Sequence, residues 1–556
     1  MGKETIEICN HLWGDIPASI GDASKIVEKK KKKLYFNSNK LEALKKEIKK
    51  NQKRLGILTK ETEEKIDSLH EGVVETGQQP NCLGGPSLVI NKIICSEVIS
   101  KKSKTVPLFS VVDYDGVRNE LTTTRLPNLS KRGLLIQYPI IKNDLGKPIY
   151  SIKRPPEIWL SNALDKIREN YKPLIRNYKQ KDIFNRNLSQ IISILRFSYY
   201  STENVSELFT KILGTILNLE SATSIPFFWY SIPNIKKIFQ ESYEELLAEP
   251  VRTEFIKKTN MTTELIKVNG YEPHRGKRKK NYVPFFIECR KCKTRLNPIY
   301  FKVPSESTAS IVTKCIKCGE NYEYSINPLK PDLSDMIDFL TPKVDTRQII
   351  QNSVIPIVMR VGGSGENGYF AEIKPMANSM KKTWPSFFRY TRVFYNSPWV
   401  ASKSKTLNEN CFKTLESPIL FNSLRKWINA RNQDNLEEFI DAHKLMQYAI
   451  FSKYNALLKE EKKIQIKISE ARKRLPYSDN PKTLLKEIQR YNKEAQELAL
   501  YLSWAFGRNE TEKFGQEVSW NWIDVAAQVG IEEMAPMYKR IYHDNTPNAS
   551  IFYINI

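Results

Sequence analysis

The chain has 556 residues but only eight cysteines and five histidines. So few cysteines in so long a chain exclude a disulfide scaffold, and a chain of this size buries a core without one. No run of about 18 uninterrupted apolar residues occurs, so no membrane-spanning helix is expected. From Met1 to Ile20 there is no apolar h-region, and Lys3, Glu4, Glu7 and Asp15 interrupt the stretch, so no secretory signal is expected. Acidic residues are missing altogether from Ile373 to Asn408. Apolar content is not lacking: 40% hydrophobic and 11% aromatic residues exclude a largely disordered chain. A cytoplasmic, soluble protein of three or four domains, at about 150 residues each, is expected, with no membrane partner.

Acidic charge is short as well. Lys and Arg number 87 against 62 Asp and Glu, a formal charge of +25. Two basic runs stand out, Lys29 to Lys33 and His274-Arg275-Gly276-Lys277-Arg278-Lys279-Lys280. Basic runs attract phosphates, yet Lys also fills the solvent faces of amphipathic helices, and the first run leads into one. Nucleic acid is therefore a secondary partner expectation, resting mainly on the second run.

Periodicity divides the chain. Leu41, Leu44, Ile48 and Leu55 form one helical stripe between Asn37 and Leu69. Gly72 to Glu75 reads as a short strand, a helix follows from Ser87 to about Ser100 with Pro86 suited to its first turn, and Val106 to Val112 is a buried strand. Strand, helix, strand in this space is a βαβ unit, which demands a parallel sheet. Downstream, Ser353 to Met359 reads as another strand, its Pro356 suggesting a bulge, and Glu366 to Met380 as a helix. Helices are expected near Asn187 to Leu219. Ile450, Tyr454, Leu457, Ile464, Ile468, Ala471 and Leu475 fall on steps of four and three, broken at Glu461. Leu485, Ile488, Tyr491, Ala495, Leu498, Leu502 and Ala505 repeat the pattern, with Asp479-Asn480-Pro481 between. The spacing predicts an antiparallel coiled-coil hairpin, a route to a homodimer, against the competing reading of ordinary bundle helices.

The expected class is α/β: a discontinuous Rossmann-like core with a parallel sheet, an inserted zinc ribbon and the hairpin. The expected divisions are a helical segment over 1–70, core over 71–275, ribbon over 276–330, core again over 331–434, hairpin over 435–506, and a tail over 507–556 folding back with Trp520 and Trp522.

Cys289-x-x-Cys292 and Cys315-x-x-Cys318 form two thiolate pairs, the spacing of a tetrahedral Zn²⁺ site. Four sulfur ligands leave no open position, so structural zinc is expected; two redox-active pairs are the competing reading. Cys82 lies after the first strand, where ligands bind in open α/β sheets, but no histidine stands near it in sequence. Cys95 reads as core. Gly363-x-Gly365-x-x-Gly368 resembles a dinucleotide loop, but no carboxylate follows about 20 residues later to hold a ribose, which argues against NAD. A helix start able to hold phosphate or carboxylate remains. Asp113-Tyr114-Asp115 closes the second strand, with Glu120 behind, where carboxylates orient a metal-nucleotide, hold an amine or act as base.

Glu75-Thr76-Gly77-Gln78-Gln79-Pro80-Asn81-Cys82-Leu83-Gly84-Gly85-Pro86, with Asn91-Lys92-Ile93, resembles the TGQQ…GP…K segment of the cysteine-adding enzymes of bacillithiol synthesis (BshC). Val106 to Asp115 is similar to that family's next block, with Tyr114 where its Asp-His-Asp has histidine. Arg347 to Asn352, Ile355-Pro356, Gly362-Gly363, Glu366 and Tyr369 are similar to its third. The resemblance implies a ligase joining L-cysteine, or a similar amino acid, to a small amine such as a glucosaminyl-malate, with ATP as activating agent. It implies that Thr76, Gly77, Gln78, Gln79, Gly84, Gly85 and Lys92 form a phosphate-reading side. Asp113 and Asp115 would face the amine or a metal, and Arg347, Gln351, Gly362, Gly363, Glu366 and Tyr369 would form the opposite wall. By the same resemblance Asp113, Asp115 and Glu366 are the catalytic candidates. The alternative expectation is an RNA-binding protein on a synthetase-like core.

Overall fold

The structure is a computed structural model. It describes residues 10–117, 119–128, 133–176, 178–269, 273–302, 308–380, 382–396, 436–506, 520–548 and 550–556. Cys9, Cys411, the acid-free stretch beyond residue 396 and residues 507–519 of the tail lie outside these, as do the side chains of Ile450, Tyr454, Leu502 and Ala505.

Five strands form the central sheet: β1 (Val73–Gln78), β2 (Val106–Val111), β3 (Phe227–Trp229), β4 (Ile357–Gly362) and β5 (Ser386–Arg389). All four pairings are parallel and the order is β3-β2-β1-β4-β5. Every residue of β2 and β4 is buried, including Ser110 and Arg360, as expected of mainly apolar strands in a sheet covered on both faces. The first unit is as expected: helix α1 (Leu88–Ser103) carries the chain from β1 to β2. Pro86 stands outside the helix, which starts two residues later with Ser87 N donating to Trp520 O at 3.0 Å. The downstream strand begins at Ile357 rather than Ser353. Pro356 precedes it and gives its carbonyl to Val73 N at 2.9 Å, and the register irregularity falls opposite, between Val73 and Val74. The helix α3 (Ser364–Ser379) follows β4, and α2 (Val205–Gly214) lies earlier in the chain.

This order places the reversal between β1 and β4. The chain leaves β1 to one side through β2 and β3, then returns to the other through β4 and β5. In open parallel sheets the crevice for ligands opens at such a switch point, outside the carboxyl ends of the strands.

The cysteine-bearing insert is all antiparallel: Ile299–Lys302, Ala309–Lys314 and Asn321–Ile326 make one sheet, and Phe285–Glu288 pairs with Arg295–Leu296 and Leu340–Pro342 in another. Two long helices, α4 (Leu436–Arg474) and α5 (Pro481–Phe506), pack on each other, burying Leu457, Ile464, Ile468 and Ala471 against Leu484, Ile488, Ala495 and Leu498. Asn480 caps α5 by accepting from Thr483 N at 3.2 Å. Leu484 rather than Leu485 sits in the seam; only 484, 488, 491, 495, 498 keeps steps of four and three, and Leu485 is exposed. The described tail folds back: Trp520 and Trp522 are fully buried. No helix among the described residues is long and apolar enough to cross a membrane.

Candidate functional site

Two buried charges of opposite sign sit in neighbouring strands. Glu75 of β1 and Arg360 of β4 are register partners, and Arg360 Nη1 donates to Glu75 Oε2 at 2.6 Å. Ser110 of β2 donates to the other Glu75 oxygen at 2.5 Å, and Gln348 accepts from Arg360 at 3.1 Å. A charged pair this deep is tolerated only when its remaining lone pairs and protons are used. Here the pair ties three strands together just behind the carboxyl edge, and Arg360 Nη2 reaches on to Glu366 Oε2 at 3.4 Å.

Glu366 lies in the first turn of α3. Its carboxylate folds back over Gly362, where an added Cβ would stand 2.9 Å from Oε2 and 3.0 Å from the Phe387 ring, so a side chain there would displace the carboxylate. The buried Lys92 of α1 donates to Glu366 Oε1 at 2.9 Å and to Gln78 Oε1 at 3.0 Å. Burial pushes the Lys92 ammonium down from its ordinary value, Glu366 pulls it back, and Arg360 and Arg347 add to the depression. For Glu366, desolvation works upward, but Lys92 and Arg360 outweigh it and hold the carboxyl below the usual range. It is therefore an ionised, weak base, suited to orienting Lys92.

Arg347, at the start of the short helix Arg347–Asn352, is 6% exposed. Its guanidinium donates to Tyr369 Oη at 2.8 Å and Tyr114 Oη at 3.4 Å. No carboxylate among the described residues lies within ion-pair distance of it. A buried guanidinium cannot shed its proton; two phenols take its hydrogen bonds, and the carboxylates that balance its charge, Glu75 and Glu366, act on it without direct contact. Beside it Gln351 Oε1 and Arg360 Nε are buried without a hydrogen-bond partner. Tyr114, which replaces the histidine of the resembling block, is buried edge-on against Tyr230 with ring centres 4.9 Å apart, and burial raises its hydroxyl to a pKa beyond the physiological range.

The two aspartates part company. Asp115 is 27% exposed at its side chain, accepts from Gln79 Nε2 at 2.5 Å and faces Arg295 Nη1 at 3.4 Å. Asp113 is fully buried and points the other way, accepting from Ser206 Oγ, Ser231 Oγ and the Tyr230 and Ser231 amides. Burial raises its pKa to about 6 against those donors. It anchors the loop after β3 rather than facing the crevice.

Other expected residues form the scaffold. Thr76 Oγ1 donates across to Val361 O at 2.8 Å. An added Cβ at Gly77 would lie 2.7 Å from Ser110 O, so close strand approach explains that glycine. Gly84 has φ +83°, and a Cβ there would lie 2.5 Å from Trp522 Nε1, which donates to Leu83 O. Gly84 and Gly85 thus serve the seat of the tail. Gly363 caps α3 with its amide 3.5 Å from Glu366 Oε1, a long contact. Cys82 is buried, and burial raises its thiol to about 12, which makes a nucleophile there untenable.

In the second basic run only Arg278 packs into the body, while His274, Arg275, Lys277, Lys279 and Lys280 are exposed. Arg278 is buried between Asp345 at 3.2 Å and Glu372 at 2.9 Å, and Lys277 pairs with Glu264 at 3.2 Å. Its leading residue, His274, sits 5.5 Å from the Tyr369 ring. Glu75, Arg360, Gln348, Arg295 and His274 stand at the site although none was expected there: Glu75 and Gln348 lie inside the resembling blocks and His274 opens the basic run, without a site role. A lone charge inside an otherwise apolar strand, as in Val73-Val74-Glu75 and Val358-Met359-Arg360-Val361, was the available signal for the first two.

In the insert, the Sγ atoms of Cys289, Cys292, Cys315 and Cys318 all lie within 4.8 Å of one another, an arrangement that can hold one metal ion. Their nearest approaches of 3.5 Å exclude a disulfide as they stand.

No family model matches the chain. It is 22% identical over 400 residues to a Bacillus cereus (strain AH187) protein named "Putative cysteine ligase BshC", with 67% of this chain and 66% of that one covered. A Bacillus anthracis protein of the same name is 22% identical over 400 residues at the same coverage. One from Oceanobacillus iheyensis is 20% identical over 371 residues, covering 66% of this chain and 63% of its own. The chain thus spans just under two thirds of the length of the curated relatives it matches.

Proposed function

We propose that the chain is a carbon–nitrogen ligase that joins the carboxyl group of L-cysteine, or a similar amino acid, to a small amine of the glucosaminyl-malate type in bacillithiol synthesis. The similarity to proteins named as cysteine ligases supports the reaction class. One observation carries the site: Arg347, a buried cation with no carboxylate partner, beside Lys92 at the switch point of the sheet. Such a charge fits a phosphate or carboxylate that arrives with the substrates.

A free carboxylate does not condense with an amine unaided, and ATP supplies the activation. Lys92 and Arg347 would hold its phosphates, with Gln78 and Gln79 at the rim. The orphaned Gln351 Oε1 and Arg360 Nε are the groups a bound ligand would satisfy. Glu366 keeps Lys92 charged and aimed. Asp115, part-exposed and held by Gln79 and Arg295, would take the proton the amine nitrogen loses as the new bond forms. Tyr369 and His274 would border the acceptor. Asp113, Thr76, Gly77, Gly84, Gly85, Gly362 and Gly363 shape the frame. In the insert, four thiolates in a closed set fit zinc in a structural role.

The test is incubation of the protein with ATP, isotope-labelled cysteine and candidate amino sugars, followed by mass spectrometry. A labelled amide made by wild type and not by Arg347→Met supports the reading. No amide with any acceptor, together with RNA binding that persists at physiological salt, would overturn it.

A further inference from the structure

The two Cys-x-x-Cys turns are copies of one backbone device. Lys293 N donates to Cys289 O at 2.8 Å and Gly319 N to Cys315 O at 2.9 Å, and both residues take positive φ, +62° and +76°. Cys289 N then pairs with Thr294 O, and Cys315 N with Glu320 O, at 2.9 and 2.7 Å. Lys293 holds the left-handed backbone that glycine holds in the second turn, a strained choice for a side chain that something must stabilise. Tetrahedral zinc with bonds of about 2.3 Å needs sulfurs about 3.8 Å apart, within the spread seen here.

Both turns also dock on a single segment. Arg295 N donates to Gly146 O at 2.8 Å, and Lys317 Nζ donates to Asn143 O. The Thr294 methyl lies over Gly146, 3.4 Å from where a Cβ would stand. That segment leads straight to the carboxyl edge of β2, because Ile149 N donates to Asp115 O at 2.9 Å and Tyr150 N to Asp113 O at 3.0 Å. Side chains close the same connection. Arg295 lies 4.2 Å over the Phe286 ring and reaches Asp115 Oδ1. Glu288, next to Cys289, accepts from Tyr150 Oη and from the buried Lys236 at 3.0 Å.

From this we infer that the metal in the four-cysteine site positions Asp115. By locking the first turn it fixes Arg295, and through Arg295 and the 143–150 segment it sets where the Asp115 carboxylate stands beside Gln79. Arg295 is then a positioning residue. Without metal, the bonds that tie the four sulfurs together are lost, the turns open, and the strand pair carrying Arg295 loses its anchor. The inference rests on the zinc reading but not on the ligase reading, since its readouts are metal content and backbone protection rather than turnover.

The experiment uses the full chain. Protein purified without chelator is analysed for metal by mass spectrometry, then compared zinc-loaded and zinc-stripped by hydrogen exchange. About one zinc per chain is expected, with loss of protection on stripping at residues 113–117 and 143–150 as well as in the insert. Arg295→Met, which leaves all four cysteines in place, should retain zinc and the protection of Ala309–Ile326 yet lose protection at 113–117. Arg295→Lys should restore part of it. Protein that carries no zinc and binds none on titration would overturn the metal assignment. Stripping that exposes the insert but leaves 113–117 protected would overturn the positioning role. So would an Arg295→Met protein whose 113–117 exchanges as in wild type.

Discussion

Lys92 and Glu366 meet at 2.9 Å across 274 positions of sequence, one from the helix after β1 and the other from the helix after β4. Their contact joins the two halves of the sheet at the point where its strand order reverses. Lys92 also holds Gln78 at the end of β1, so the pair fixes the rim of the crevice from both sides.

Removing Lys92 should therefore be expensive. Lys92→Met leaves Glu366 with Arg360 alone at 3.4 Å. Because Glu366 is 23% exposed, the loss should sit at the low end for a broken buried pair, about 3 kcal/mol in urea unfolding. An unchanged unfolding midpoint would contradict the pairing.

Arg347→Met should separate binding from folding. Wild type should be stabilised by ATP by about 2.7 kcal/mol at about a hundred times the Kd, and the variant should lose that gain while remaining folded by circular dichroism. A variant that keeps the full nucleotide shift in a thermal melt would exclude Arg347 from the anion site.

Lys343 gives a pH signature. Its ammonium lies 4.6 Å over the Tyr282 ring and 5.2 Å over Phe286. Burial pushes its pKa down to about 8, Asp345 pulls it up, and Arg275 and Arg295 push it further down. The unfolded chain therefore binds the extra proton between about pH 8 and the ordinary lysine value, and stability rises with pH across that window. Lys343→Met should flatten the rise and stabilise the protein at pH 7 by about 1–3 kcal/mol. Parallel pH profiles for the two proteins would refute the assignment.

Gly84→Ala should cost about 2–3 kcal/mol, because the position combines φ +83° with a Cβ 2.5 Å from the Trp522 indole. Unfolding followed by tryptophan fluorescence should show the tail released first. A cost under about 0.5 kcal/mol would mean that the tail does not depend on this seat.

How much was legible varies with the range of the interaction. The βαβ unit from β1 to β2 could be read because Val106 to Val111 is apolar but for Ser110 and the connecting helix is local. The pairing of the cysteines followed from their spacing. Leu484 was missed in favour of Leu485 because two adjacent leucines satisfy a loose periodicity equally, and only the partner helix chooses between them. The two aspartates after β2 looked alike, yet Ser206 and Ser231 draw Asp113 inward while Gln79 and Arg295 hold Asp115 outward.

By itself the sequence determined the parallel sheet, the four-thiolate cluster and the set of motifs at the strand ends, because these depend on local periodicity and short spacings. Tertiary structure alone decided which charges meet. Glu75 finds Arg360, Lys92 finds Glu366, and Arg347 is left with two tyrosines. Apart from the Arg347–Tyr369 contact, these meetings depend on strand register and helix placement across some 230 or more positions, which no local pattern encodes.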